Sequence, residues 1–83
     1  MINDKPVLTR REIQVAIHVR KGMTCQEIGL SLDLGYESIR SLVKRLKEKT
    51  GYRRNTQLAI WSSKNRLWLT RKLNSGIFRA MAD

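Results

Sequence analysis

The sequence predicts an all-α chain of four short helices followed by an amphipathic helical extension. Three observations lead there. The capping pattern Ser/Thr-x-x-Glu occurs twice, at Thr9-Arg10-Arg11-Glu12 and Thr24-Cys25-Gln26-Glu27, each before an apolar run. Apolar residues recur at spacings of three and four, with no alternating strand pattern and no internal repeat. Glycines stand where helices should end, at Gly22 and Gly51. The 83 residues fit about one small domain.

Residues 1–7 read as a lead-in, because Pro6 disfavours helix before it and Asn3-Asp4-Lys5 has nothing to bury. The first helix is expected over about 10–21, with Thr9 as cap and Leu8 as staple residue. Glu12, Val15, Ala16 and Val19 share one face, and Ile13 and Ile17 form an apolar pair off it. A short second helix follows Thr24, with Ile28 and Leu32 on one face and Gly29 allowing close approach of a neighbour. Asp33-Leu34-Gly35 is a tight turn, and Gly35 caps a third helix over about 36–49.

That third helix is two-faced. Ile39, Leu42, Val43 and Leu46 make an apolar stripe, while Arg40, Lys44, Arg45, Lys47 and Lys49 cover the rest, opposed only by Glu37 and Glu48. Thr50-Gly51 ends it. A fourth helix is expected behind a cap at Asn55 or Thr56, carrying Leu58 to Trp61. From residue 66 on, Leu69, Leu73, Ile77 and Met81 recur every four residues, interrupted at Asn74-Ser75-Gly76. The extension 66–83 therefore reads as one kinked helix or two short ones.

Charge narrows the function. Lys and Arg number 17 against 7 Asp and Glu, a net charge of +10, so a polyanionic partner is expected: nucleic acid first, an anionic membrane surface second. The single cysteine, Cys25, excludes an internal disulfide and leaves no Cys/His set with zinc spacing, so no metal is expected. It reads as an inert reduced thiol, and lone His18 as packed or solvated. No nucleophile–base pair, phosphate loop or carboxylate pair is evident, so neither an enzyme nor a cofactor is expected. No apolar run reaches the length of a membrane span and no signal peptide is visible, which points to the cytoplasm.

A helix, a short helix after a glycine, a tight turn and a two-faced basic helix make a helix-turn-helix by geometry alone. Over residues 8–65 the details go further. Leu8-Thr9-x-Arg11-Glu12-x-x-Val15, Gly22, Glu27-Ile28-x-x-x-Leu32, Ser38-Ile39, Lys49-x-Gly51 and Gln57-Leu58-Ala59 occur in that order without gaps. In this it resembles the LuxR/GerE-type helix-turn-helix DNA-binding domain. It departs from that pattern at Gly29, Gly35, Leu42 and Thr50, where the family usually has Ala, Ser, His and Leu. Those departures mark a divergent member, and sigma-factor DNA-binding regions share the general plan.

The resemblance and the helix geometry agree on the readers. With Ile39, Leu42, Val43 and Leu46 inward, Arg40, Ser41 and Lys44 project outward, and these positions match the family's base-contacting slots. Arg40 and Lys44 are expected to donate to guanine, Ser41 to adapt, and Tyr36 or Glu37 to act as edge or steric readers. Phosphate anchoring is expected at the second helix's N-terminus, with Thr24 and Gln26 as donors, Thr24 being equally readable as a cap. Arg45, Lys47, Arg53 and Arg54 are further phosphate candidates. The resemblance also implies a homodimer through the fourth helix, with Leu58, Trp61, Ser62 and Asn65 near the interface, although Leu58 is also readable as core.

Three functions follow as alternatives. One is a stand-alone sequence-specific transcription regulator, bacterial or phage, acting as a homodimer on a palindromic site in double-stranded DNA. Another is a small interaction module that antagonises or heterodimerises with a larger transcription factor, or docks on RNA polymerase. The third is a membrane-surface binder using Trp68 and Phe78 among the cations of the extension. For the extension itself, Leu69, Leu73 and Ile77 are expected to bury against Ile13 and Ile17 or against another subunit.

Overall fold

Both capping patterns form. In the computed structural model, which describes residues 5–82 and their side chains as far as residue 74, Thr9 Oγ1 accepts from the Glu12 N–H at 3.2 Å. Glu12 Oε1 accepts from the Thr9 N–H at 2.8 Å, and α1 spans Arg10–Arg20. The same reciprocal pair at Thr24 and Glu27 opens α2, Cys25–Leu32. Between them Gly22 sits at φ +79°, a left-handed conformation that glycine adopts without steric cost.

The turn after α2 depends on Gly29. Asp33 takes the left-handed conformation (φ 58°, ψ 46°) and the Leu34 N–H donates to Gly29 O at 2.8 Å. A Cβ at position 29 would stand 2.7 Å from Leu34 O, so the turn closes this tightly only over a glycine. Gly35 then caps α3, Tyr36–Thr50, which ends at Gly51.

The fourth helix, α4, spans Asn55–Lys64 and corrects the expected cap. Asn55 and Thr56 are already helical. Gln57 instead reaches back, its Oε1 accepting from the N–H groups of Arg53 (3.0 Å) and Arg54 (3.1 Å). The satisfying group thus comes from inside the first turn, without a Ser or Thr before it. Beyond Asn65, α5 runs over Arg66–Ala82 as one helix. Of the two forms expected for the extension, two short helices do not form: the helix continues through Asn74-Ser75-Gly76, where one mid-helix glycine costs only about 1 kcal/mol and no proline is present. The side chains of Ile77, Phe78 and Met81 lie outside the described ones.

Helix α1 is the hub, packing against each of the other four helices. Val15, Ala16 and Val19 meet Ile28, Ile39, Leu46 and Leu58 in one core. Ile13, expected off the core face, is buried too, because α5 covers that flank of α1 and brings in Leu69, which is fully buried. Leu73 and Ile17 are half-buried beside them. Leu69→Ala is therefore expected to cost about 2–5 kcal/mol and to lower Tm by roughly 10 °C or more. A thermal melt indistinguishable from wild type would show that α5 is dispensable to the core.

One contact escaped the sequence reading. Lys49 Nζ at the end of α3 donates to Glu12 Oε1 at 2.7 Å and to Val7 O at 3.0 Å. Glu12 is fully buried at the start of α1, so this ion pair fixes the angle between α1 and α3.

Candidate nucleic-acid interface

With Ile39, Val43 and Leu46 buried against α1 and α2, the opposite face of α3 has to face water. Tyr36, Glu37, Arg40, Ser41, Lys44 and Arg45 are all exposed, and Lys47 and Leu42 are half-buried at its margins. Successive turns thus place Arg40, Ser41 and Lys44 on one outward surface. Among the described residues the ion pair is that of Glu12 and Lys49, so no acid holds the α3 cations Arg40, Lys44 or Arg45. Their charges stay available to a ligand.

Two details refine this face. The Arg40 guanidinium lies 5.8 Å from the centroid of the Tyr36 ring, one turn earlier, which limits the arginine's freedom before any partner arrives. An aromatic and an arginine at i, i+4 was the available sequence signal for it. Secondly, an open groove of about 480 Å³ runs along Glu37, Arg40, Lys44 and Lys47, from Cys25 at the start of α2 to Asn55 at the start of α4. Asn55, expected only as a cap, is thereby a polar wall of the groove.

The start of α2 faces the same groove. Thr24 is its cap, Gln26 is exposed, and the N–H groups of Cys25 and Gln26 are among the first-turn donors without helical acceptors. Such a helix end favours an anion. Arg53 and Arg54 are exposed in the segment entering α4. His18 lies away from this surface: its Nδ1–H donates to Gln14 O at 2.7 Å, leaving Nε2 to accept from Ser31 Oγ at 3.1 Å. It ties α1 to α2 and has the partners of a packing residue.

The model of the family described as bacterial regulatory proteins, luxR family, matches residues 6–62, more than half of the chain. The chain belongs to the luxR family. Its helices are those of a luxR-type helix-turn-helix domain, and this family consists of DNA-binding transcription regulators. No curated protein and no solved structure gives a match. In this luxR-family chain the match takes in α1 to α3 and most of α4, and α5 follows it.

Two of the four residues expected at a dimer interface are not on the surface. Leu58 is in the core, and Ser62 is fully buried with its hydroxyl donating to Ala16 O at 2.8 Å. Both lie on the side of α4 that packs on α1, where a polar residue needs an internal partner and Ser62 has one. Trp61 and Asn65 are half-buried, Trp61 meeting Trp68 edge to face at 6.2 Å and Asn65 Nδ2 donating to Trp61 O. Ile60, not singled out from sequence, is 56% exposed. Among the described residues no group of His, Cys, Asp and Glu could hold a metal ion, and no helix is long and apolar enough to cross a membrane.

Proposed function

We propose that this chain regulates transcription by laying α3 in the major groove of double-stranded DNA and reading its sequence as a homodimer on a palindromic site. The observation that carries the reading is the outward surface of Arg40, Ser41 and Lys44, exposed and held by no acid. Arg40 and Lys44 donate to guanine O6 and N7, Ser41 adapts to its neighbour, and Tyr36 and Glu37 border the contact. The start of α2, with Gln26, holds one phosphate strand, and Arg45, Lys47, Arg53 and Arg54 hold others. Such a partner puts the protein where the chromosome is, in the cytoplasm or nucleoid.

Dimerisation rests on α4. Of its expected contacts Trp61 and Asn65 remain, with exposed Ile60 one residue from Trp61. Selection from random duplexes in about physiological salt, followed by sedimentation of the selected complex, tests the reading. It predicts one palindrome with half-sites ~10 bp apart and two chains per duplex. A single half-site bound by one chain would reject the dimer, and a pool without any motif would reject base reading.

A further inference from the structure

The chain has a second cationic face that α3 does not use. From Thr50 to Ala82 the sequence contains no Asp or Glu, yet it carries seven of the 17 Lys and Arg. Lys64, Arg66 and Arg71 lie along an open groove of about 690 Å³ where α4 passes into α5, and all three are exposed. This face is separate from the first. Among the described residues α5 packs on α1 and α4 and not on α3, while α1 packs on both. No residue lines both this groove and the one along α3.

From this arrangement we infer that the α4–α5 face is a second, sequence-blind DNA-binding surface, which holds the phosphates of a separate duplex. Charge complementarity selects the occupant: three cations with no acid anywhere along the segment match a phosphate backbone. An amphipathic acidic peptide needs an apolar slot beside the cations. Here Trp68 is half-buried and engaged, edge to face with Trp61 at 6.2 Å and with Lys5 Nζ 5.7 Å from its ring centroid, which leaves exposed Leu67 as the one other apolar side chain on the groove, too little for such a slot. With α3 on its site and α5 on another duplex, one protein bridges two DNA segments. Only the bridging clause rests on the α3 reading; the second face stands on its own charge.

The test uses the full chain, an immobilised duplex carrying the selected site, and a fluorescent duplex of unrelated sequence offered in solution. Wild type should retain the second duplex. The Lys64→Gln/Arg66→Gln/Arg71→Gln variant should retain it at least tenfold less well while binding the immobilised site within about threefold of wild type. The salt slope of its unrelated-duplex binding should be lower by up to ~3, about one for each lost phosphate contact. Equal retention by variant and wild type would overturn the inference. So would capture of vesicles of anionic phospholipid, but not of DNA, through these three residues. The Arg40→Ala/Lys44→Ala variant separates the two readings: it should lose the selected site yet keep salt-sensitive binding to unrelated duplex. Loss of both would mean that α3 is the sole DNA surface.

Discussion

Arg40→Ala/Lys44→Ala is expected to lower affinity for the selected site by at least about 30-fold while leaving the fold unchanged. Both side chains are exposed and outside the core, and alanine is the best helix former, so α3 should be no less stable. A well-formed contact to a base edge is worth about 1–3 kcal/mol of discrimination, so two contacts give at least about 2 kcal/mol, or roughly 30-fold. What survives should be weak, salt-sensitive and indifferent to sequence. The check is a titration of selected and scrambled duplexes with both proteins, alongside a thermal melt. Equal loss on both duplexes would make Arg40 and Lys44 phosphate contacts rather than readers.

Glu12→Gln is expected to cost about 2–4 kcal/mol of stability and to flatten the acid limb of the stability profile. Burial would raise the Glu12 carboxyl, but the Lys49 hydrogen bond, the Thr9 backbone N–H and the Lys49 charge outweigh it and hold it below its ordinary 4.5. The folded value is therefore depressed. The contribution is fully present above pH 4.5 and is lost as pH falls through the lower folded value. Breaking a buried pair costs about 3–5 kcal/mol, trimmed here because the Lys49 side chain is 35% exposed and partly screened. Glutamine keeps an oxygen for the Thr9 N–H but loses the charge, and Glu12 Oε2 has no partner for an amide to use. Denaturant melts from about pH 3 to pH 7 check both effects. A variant as stable as wild type at pH 7 would mean that Lys49 finds equal solvation in water.

How much of this was legible depends on whether the cause was local. The capping boxes at Thr9 and Thr24, Gly22 and Gly51 as stops, and the two-faced α3 each depend on residues within a turn of one another, and the sequence displays them. The α4 cap was local too, but Gln57 acts backward without a Ser or Thr ahead of it, a weaker signal than Asn55 or Thr56. The Glu12–Lys49 pair joins residues far apart in sequence, and Glu12 already had a complete role as half of a capping box. The burial of Ser62 on α4 was hidden for a similar reason, whereas Leu58 was already readable as core. Leu58 and Ser62 share the face that meets α1, but only the packed fold shows that a serine sits there, bonded to a carbonyl of α1. Ile13 looked like a surplus apolar residue until α5 supplied the flank that covers it.

The central claim is that α3 reads base edges in the major groove, and guanine N7 methylation interference on the selected duplex tests it most directly, because N7 lies in that groove. Methylation at one or two guanines in each half-site should block wild-type binding, and the interference should vanish for the Arg40→Ala/Lys44→Ala protein's residual binding. Binding by wild type that is indifferent to N7 methylation at every guanine would contradict it.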